Sequence, residues 1–194
     1  MRTKGAKGKF PTKEIIVLEA FKLFASKQYD QVTFDEIEKA THLSRGAILY
    51  HIKSKEALFV EVIDNFVFNK VSVVQMYQED SSISLERLIS KFITACREEK
   101  KKMKANGISN INLALLNIEN SAFSFYPDMK DKASEWYKNE HETWCKVIQQ
   151  AIKTKEIKKD TDVETIAKLF EHVYLGCSFA GITEARGFSP DALK

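Results

Sequence analysis

Apolar residues recur at helical spacing along most of the chain. Ile16, Ala20, Leu23 and Phe24 lie at positions i, i+4, i+7 and i+8, which predicts an amphipathic helix over residues 12–27. Polar, glycine or proline positions separate segments of this kind, and no segment shows the sustained β-branched alternation of strands. The pattern therefore predicts an all-α fold.

The segment from Thr33 to Lys55 predicts two short helices joined by a tight turn. Thr33 and Glu36 have the spacing of a capping box, so a helix is expected to begin at Thr33. Residues 41–43 break the apolar period, and Ser44 then offers a second N-cap. Helices this short need support from a neighbour, which residues 12–27 can supply. The order predicts a helix-turn-helix within an N-terminal three-helix domain.

The rest of the chain predicts a larger helical bundle. An apolar stripe from Leu58 towards Val73 predicts one long helix, from Lys55 to about Tyr77, that links the two domains. Further helices are expected over about residues 85–104, 111–125, 129–154 and 162–185. The expected domains are residues 1–54, with residues 1–11 as a basic arm, and residues 55–194.

Charge divides the chain in the same place. Residues 1–55 hold 11 basic and 6 acidic residues, a net charge of +5, whereas the remaining 19 and 21 give −2. Positive charge near the helix-turn-helix is typical of phosphate binding, although a solvated basic arm explains part of it. No apolar run reaches membrane-spanning length and no signal peptide is evident, so a cytoplasmic protein is expected. Cys96, Cys145 and Cys177 are too widely spaced to predict a disulfide framework or a zinc finger.

One face of the second motif helix is expected to read base edges. Arg45 can offer two parallel donors to guanine, while Ala47 and Leu49 can contact thymine methyl groups. Gly46 would let the backbone approach the duplex closely, or would serve equally well as a packing glycine near the helix start.

Other residues of the motif are expected to contact phosphates. Hydroxyl, imidazole and ammonium groups and helix N-termini are the usual positioning contacts to the DNA backbone. On this basis the expected contacts are Thr33, Ser44, Tyr50, His51 and Lys55. Outside a DNA-binding motif, the same side chains would be read as ordinary surface residues.

Residues 12–63 resemble the tetracycline-repressor (TetR) family of bacterial one-component transcription regulators. The matching residues are Leu23-Phe24-Ala25, Tyr29, Thr33, Asp35-Glu36-Ile37, Ala40, Leu43-Ser44, Gly46, Tyr50-His51, Lys53-Ser54-Lys55 and Leu58. The resemblance implies a homodimer that binds a palindromic operator in double-stranded DNA and is released by a small-molecule effector, which makes it a repressor. It implies no catalytic residue, no metal, no cofactor and no membrane.

The chain departs from the family pattern at four positions. Gln28 and His42 stand where the family usually has glycine, so a left-handed backbone is expected at both. Leu49 and Ile52 replace aromatic residues of the family, which leaves the operator sequence open.

The resemblance also suggests where an effector and a second subunit bind. The expected effector pocket comprises Phe66, Phe92, Met103, Leu113, Asn117, Phe123, Tyr137 and His141. The expected dimer interface comprises Trp144, Ile148, Leu169, Phe170, Val173, Gly176, Cys177, Ala180 and Gly181, with small residues that permit close helix approach. Ordinary packing within the chain is the alternative for both sets.

Two other functions are weighed against a ligand-controlled repressor. His141 and Cys145, at i and i+4 beside Glu142, could form a partial metal site or a thiol nucleophile in a helical enzyme. One helical turn supplies too few ligands for that, so no enzyme is expected. A helix-turn-helix protein that acts architecturally, or through a protein partner without an effector, is the stronger alternative.

Overall fold

The computed structural model describes residues 12–193, and its regular structure is helical throughout. The α-helices of this range are α1 (Thr12–Ser26), α2 (Phe34–Thr41), α3 (Arg45–His51), α4 (Lys55–Ile63), α5 (Val73–Glu79), α6 (Leu85–Ala105), α7 (Ile111–Phe125), α8 (Met129–Lys153) and α9 (Val163–Ala180). The predicted all-α class is confirmed. The expected basic arm, residues 1–11, lies outside the described residues. None of the helices described here is both long and apolar enough to cross a membrane.

Helices α1 to α4 surround an aromatic core. The rings of Phe24 and Phe59 meet edge to face at 5.0 Å, and Tyr29 lies 4.8 Å from Phe59. Ile118 and Ala122 of α7 are fully buried in the same core. The interior of the N-terminal bundle is therefore completed by a helix from the second half of the chain.

Hydrogen bonds reinforce this junction between the two halves. The Asn117 side-chain amide on α7 donates to the Ala25 carbonyl at the end of α1, at 2.8 Å. The Tyr29 backbone N–H donates to the Ser121 hydroxyl at 3.3 Å. Because α7 is hydrogen-bonded to the end of α1 and to the following turn, a shift of α7 would move these parts of the N-terminal bundle.

The predicted long helix from Lys55 to Tyr77 is wrong. Helix α4 ends at Ile63 and continues only as one π-helical turn, Asp64–Phe68. A new helix, α5, then begins after Ser72, whose hydroxyl accepts the Val74 N–H at 3.1 Å. Both segments bury apolar side chains, so the apolar pattern continues across the break and the sequence alone does not indicate where the helix ends.

A buried carboxylate fixes the start of α5. Glu140 of α8 accepts hydrogen bonds from the Ser72 hydroxyl and from the Val73 N–H, the second at 3.2 Å. Burial of this carboxyl raises its pKa above the ordinary value. The partner that interrupts the helix thus lies 67 and 68 residues away along the chain.

A second core joins α5, α6, α8 and α9. Trp144 stacks on Phe170 with ring centroids 4.9 Å apart and planes 9° apart, and Ile148 is fully buried nearby in the chain. Val73 and Leu88 belong to the same core. This arrangement positions α8 and α9 side by side, with one face of α9 left towards solvent.

The two positions expected to have a left-handed backbone, Gln28 and His42, have different backbone conformations. His42 has φ 57° and ψ 28°, the left-handed conformation that the tight turn after α2 requires. Gln28 was expected to be similar, but its φ of −64° and ψ of 152° are extended. It leads into the 3-10 turn Tyr29–Gln31, a connection that any residue can make, so no strain is stored there.

Candidate DNA-binding surface and effector cavity

Helix α2 begins with the expected capping box. The Thr33 hydroxyl accepts the Glu36 N–H at 3.3 Å, and the Glu36 carboxylate accepts the Thr33 N–H at 3.0 Å. Lys27 of α1 also binds this carboxylate. The Lys27 hydrogen bond, followed by the Thr33 backbone bond, lowers the pKa of Glu36 to about 2. The start of α2 is thereby held to the end of α1.

Glu36→Gln is expected to flatten the acid dependence of stability. The folded pKa of Glu36 lies below the ordinary value of 4.5, so its stabilising contribution is present above pH 4.5 and is lost as the pH falls towards 2. Thermal unfolding followed across that range should therefore fall more steeply for the wild type than for Glu36→Gln. Glu135→Gln, at an exposed position of α8, should follow the wild type. Identical curves for wild type and Glu36→Gln would contradict the role of this cap.

Helix α3 presents one face to solvent and buries the other. Ile48 and Ile52 are buried against α1 to α4, as their spacing predicted. On the outer face Tyr50 is 85% exposed, and His51 is exposed with its ring 5.2 Å from that of Tyr50. The outer face of this helix is therefore available to a partner as large as a duplex.

Arg45 stands at the first turn of α3. Its guanidinium lies 4.9 Å from the Phe34 ring and 3.6 Å from the Asp35 carboxylate, and its backbone N–H donates to Glu38. The Ser44 hydroxyl caps the helix by accepting the Ala47 N–H at 3.3 Å. The guanidinium is thus exposed and paired only with a surface carboxylate.

Gly46 has open space where a side chain would be. A Cβ built on it would meet nothing within 4 Å. Packing within the chain therefore does not require glycine at this position. This favours the interpretation that Gly46 lets a partner approach closely over the interpretation that it packs against a neighbouring helix. The neighbouring Ala47 is half-buried and Leu49 is partly exposed, so Leu49 offers more apolar surface to a base than Ala47 does.

Lys55 is engaged within the protein. Its ammonium donates to the carbonyls of Tyr29 at 3.0 Å and Val32 at 2.9 Å, and lies 4.3 Å from the Tyr29 ring centroid. These bonds tie the start of α4 to the turn that precedes α2. The phosphate contact expected of Lys55 stays a prediction, and the internal role is one that the sequence did not reveal.

A cavity of about 450 Å³ opens between α6, α8 and α9. Its aromatic wall consists of Phe92, Trp136, Tyr137, Trp144, Phe170 and Tyr174. Eight further lining residues carry charged or titratable groups: Lys70, Lys138, Glu140, His141, Glu164, Lys168, Glu171 and His172. An apolar wall with convergent polar groups is the usual composition of a small-molecule site.

The structure gathers only part of the expected effector pocket around this cavity. Phe92, Tyr137 and His141 line it. Phe66 and Met103 instead line a groove beside α1, and Phe123 borders a smaller pocket at the start of α8. The two remaining residues of the predicted set, Leu113 and Asn117, are exposed on α7, where Asn117 is bonded to α1.

The residues predicted to form the dimer interface fall into two groups, one buried within the chain and one exposed on α9. Trp144 and Ile148 are buried in the second core, so their side chains serve packing within the chain and not between chains. Phe170 stacks on Trp144, and Gly181 is buried where an added Cβ would collide with the Phe188 backbone.

The outer face of α9 keeps the other members of that set. Leu169 is 55% and Val173 43% exposed, and a Cβ added to Gly176 would meet nothing within 4 Å. Cys177 is half-buried and Ala180 exposed on the same helix. Phe179, 71% exposed, adds an apolar side chain that the sequence did not single out.

His141 and Cys145 meet as their spacing suggested, but their acidic partners come from α9. The Cys145 sulfur lies 3.6 Å from His141 Nε2, while the adjacent Glu142 pairs with Lys138. Burial, and then the negative charge of carboxylates on α9, raise the pKa of the Cys145 thiol. A thiol with a raised pKa is a poor nucleophile, which disfavours the enzymatic alternative.

Sequence comparison identifies the helix-turn-helix region. Residues 16–62, which span α1 to α4, match the model of the family described as bacterial regulatory proteins, tetR family. Over these residues the chain is similar to that family. The matched stretch includes the capped α2, the left-handed turn at His42 and the exposed face of α3.

The similarity to a curated relative covers only part of both chains. The chain is 28% identical over 76 residues to the biofilm operon icaADBC HTH-type negative transcriptional regulator IcaR of Staphylococcus aureus (strain Newman). The matched stretch covers 39% of this chain and 41% of that relative, so the chain spans about two fifths of the relative's length.

Solved structures extend the likeness to the whole fold. Regulatory protein TetR from Rhodobacter sphaeroides superposes with a TM-score of 0.65 at 17% identity, over 94% of this chain and 93% of that one. The TetR family transcriptional regulator PfmR from Thermus thermophilus gives 0.63 at 17% identity, over 92% of each chain. The arrangement of the helix-turn-helix region and of the helical bundle that follows is therefore the same as in these solved structures.

Proposed function

We propose that this protein is a one-component transcription regulator that binds operator DNA through α2 and α3. The observation that carries the proposal is the α3 surface, where Arg45, Tyr50 and His51 are exposed while the opposite face is anchored in the core. The name of the IcaR relative, a negative regulator, favours repression. Such a protein would act in the cytoplasm, where bacterial DNA is found.

Arg45→Ala is expected to weaken binding to the preferred duplex by about 1–3 kcal/mol, roughly 5- to 150-fold, and to relax preference at one base position. The loss follows from removing a bidentate contact to guanine. Duplexes selected by the wild-type protein from a random pool supply the probe, and a fluorescence titration measures the affinity.

The control for this experiment is Arg87→Ala, which removes an exposed arginine from α6. It should bind as the wild type does. Equal affinities for Arg45→Ala and wild type on every selected duplex would remove Arg45 from the reading face, and a wild-type protein that selects no duplex at low salt would refute the proposed function.

A symmetric pair of these chains is part of the proposal. A single recognition helix reads too few bases for operator specificity, and dimers on palindromic half-sites are the usual solution. The exposed apolar face of α9 around Leu169 and Val173 is the surface that supports dimerisation, and Phe179 adds exposed apolar surface near the end of the same helix. The selected duplexes should therefore contain two inverted half-sites.

The cavity supports control by a small apolar effector. Its aromatic wall, with polar groups at its edges that could orient a ligand, favours an effector-controlled regulator over a helix-turn-helix protein that acts without one. The ligand would be drawn from compounds with an aromatic or aliphatic body and a polar end. Titrating operator complexes with such compounds, and measuring release of labelled DNA, tests this part.

A route from the cavity to the DNA-binding surface would begin at the cavity residue Trp136 of α8, which donates to the Phe68 carbonyl of the π-helical turn after α4 at 3.2 Å, and would continue through α7. Asp64, in the π-helical turn after α4, accepts hydrogen bonds from Tyr126 at 2.8 Å and Lys132 at 2.6 Å. Asn117 and Ser121 bind the opposite side of the N-terminal bundle. An effector that favours one arrangement of α7 and α8 would shift the population of DNA-competent spacings.

A further inference from the structure

Side chains from α8 and α9 converge on one imidazole beside the cavity. His141 Nε2 lies 3.1 Å from the Glu164 carboxylate and 3.6 Å from Cys145 Sγ, and the Cys145 sulfur lies 3.8 Å from Glu164. The three donor atoms thus form a compact triangle, each from a side chain able to ligate a metal. On the sequence alone, one turn of α8 offered only two of them.

We propose that His141, Cys145 and Glu164 bind a divalent transition-metal ion of the zinc class. In tetrahedral zinc sites the bonds to nitrogen and oxygen are about 2.0–2.1 Å and the bond to sulfur about 2.3 Å, which places neighbouring ligand atoms about 3.3–3.6 Å apart. The observed triangle meets that requirement with shifts of a few tenths of an ångström. This inference goes beyond the proposed function and does not depend on DNA binding.

The second ring nitrogen has the partner that such a site needs. His141 Nδ1 lies 3.2 Å from both carboxylate oxygens of Glu171. A carboxylate in this position holds the imidazole so that Nε2 points at the metal, the arrangement found around many metal-bound histidines. Glu171 is therefore a positioning residue and not a ligand.

The choice of ion follows from the donor set. A thiolate and an imidazole favour zinc and similar ions over Mg²⁺ and Ca²⁺, which prefer oxygen ligands. On binding, the Cys145 thiol loses its proton to solvent, because a coordinating thiol is deprotonated by the ion. His141 Nε2, which faces the Glu164 carboxylate, gives up its hydrogen to solvent as well. Three protein ligands also leave one tetrahedral position for water or for a group on an effector.

The position of the site gives the ion a structural consequence. His141 and Cys145 belong to α8, whereas Glu164 lies in the first turn of α9. Lys168 pairs with Glu164 Oε1 at 2.9 Å, which leaves Oε2, the oxygen nearest to Cys145, for the ion. A bound ion would join α8 to the beginning of the helix whose outer face is proposed to form the dimer.

Cobalt titration of the tag-free, full-length protein, freed of metal with a chelator, tests the inference. We expect one Co²⁺ per chain, with the intense visible bands of tetrahedral cobalt and a near-ultraviolet thiolate charge-transfer band, both removed by one equivalent of Zn²⁺. Cys145→Ser should abolish the charge-transfer band. Glu171→Gln should keep the band but weaken binding by about 10- to 100-fold, as expected for an outer partner.

Matched controls separate this site from binding elsewhere. Cys177→Ser removes a half-buried thiol of α9, and His42→Asn removes an exposed imidazole while tolerating the left-handed backbone. Both should bind cobalt as the wild type does. The proposal is overturned if the wild type shows no tetrahedral cobalt spectrum, or if Cys145→Ser retains the wild-type spectrum and affinity.

A second ligand variant tests the same site independently of whether Cys145→Ser folds. Glu164→Gln changes an exposed side chain, and circular dichroism can establish that it is folded before metal is added. It should bind cobalt at least 10-fold more weakly than the wild type, because one ligand loses its charge. Wild-type cobalt affinity in folded Glu164→Gln would also overturn the proposal.

Discussion

Leu169→Glu combined with Val173→Glu is expected to convert the protein to a monomer and to reduce operator affinity about a thousandfold or more, to the level of non-specific binding. Both side chains are exposed on α9, at 55% and 43%, so the variant should fold. Two carboxylates placed opposite their copies across a two-fold axis would repel each other and remove apolar contact. Sedimentation and operator titration measure the two effects.

The matched control uses two exposed apolar residues of another helix. Leu113→Glu with Leu116→Glu places the same charges on the exposed part of α7. This variant should remain dimeric and bind operator as the wild type does. If the α7 pair dissociates the dimer and the α9 pair does not, the interface has been assigned to the wrong helix.

Lys55→Ala is expected to lower the stability of the folded protein by about 2 kcal/mol, since the variant loses two hydrogen bonds from a charged group to the Tyr29 and Val32 carbonyls. For a chain of this size that corresponds to a fall in Tm of roughly 4–8 °C. The carbonyls would be left to water, and the turn before α2 would lose its attachment to α4. Thermal unfolding without DNA measures the effect.

The same variant decides between two roles for this lysine. A phosphate contact would leave the Tm unchanged and reduce the slope of log affinity against log salt concentration by about 0.9. Lys53→Ala, which removes an exposed lysine two residues earlier, serves as the control for stability. An unchanged Tm for Lys55→Ala, together with a reduced salt slope, would show that the internal bonds contribute little.

Features encoded by neighbouring residues could be predicted from the sequence. The Thr33 and Glu36 cap, the Ser44 cap and the inward positions of Ile48 and Ile52 all depend on residues within four positions of each other. Local spacing determines hydrogen bonds at helix ends and the face on which a side chain lies. The helix-turn-helix could therefore be placed to within a residue.

Features that depend on distant partners could not be predicted. The break before α5 needs Glu140 beneath Ser72, and the engagement of Lys55 needs carbonyls 23 and 26 residues earlier. The cluster around His141 is completed by Glu164 and Glu171 from another helix. The spacing of an apolar position such as Trp144 likewise does not show whether it packs within a chain or between chains, and the structure buries it within this chain.

The burial of α7 side chains beneath the helix-turn-helix has a consequence for engineering. Ile118 and Ala122 complete the interior of the N-terminal bundle, and Asn117 is bonded to its backbone. A chimaera that grafts residues 1–54 onto another regulator's body would leave unfilled volume and an unpaired carbonyl. Transplanting the DNA specificity of this protein therefore requires moving the matching surface of α7 as well.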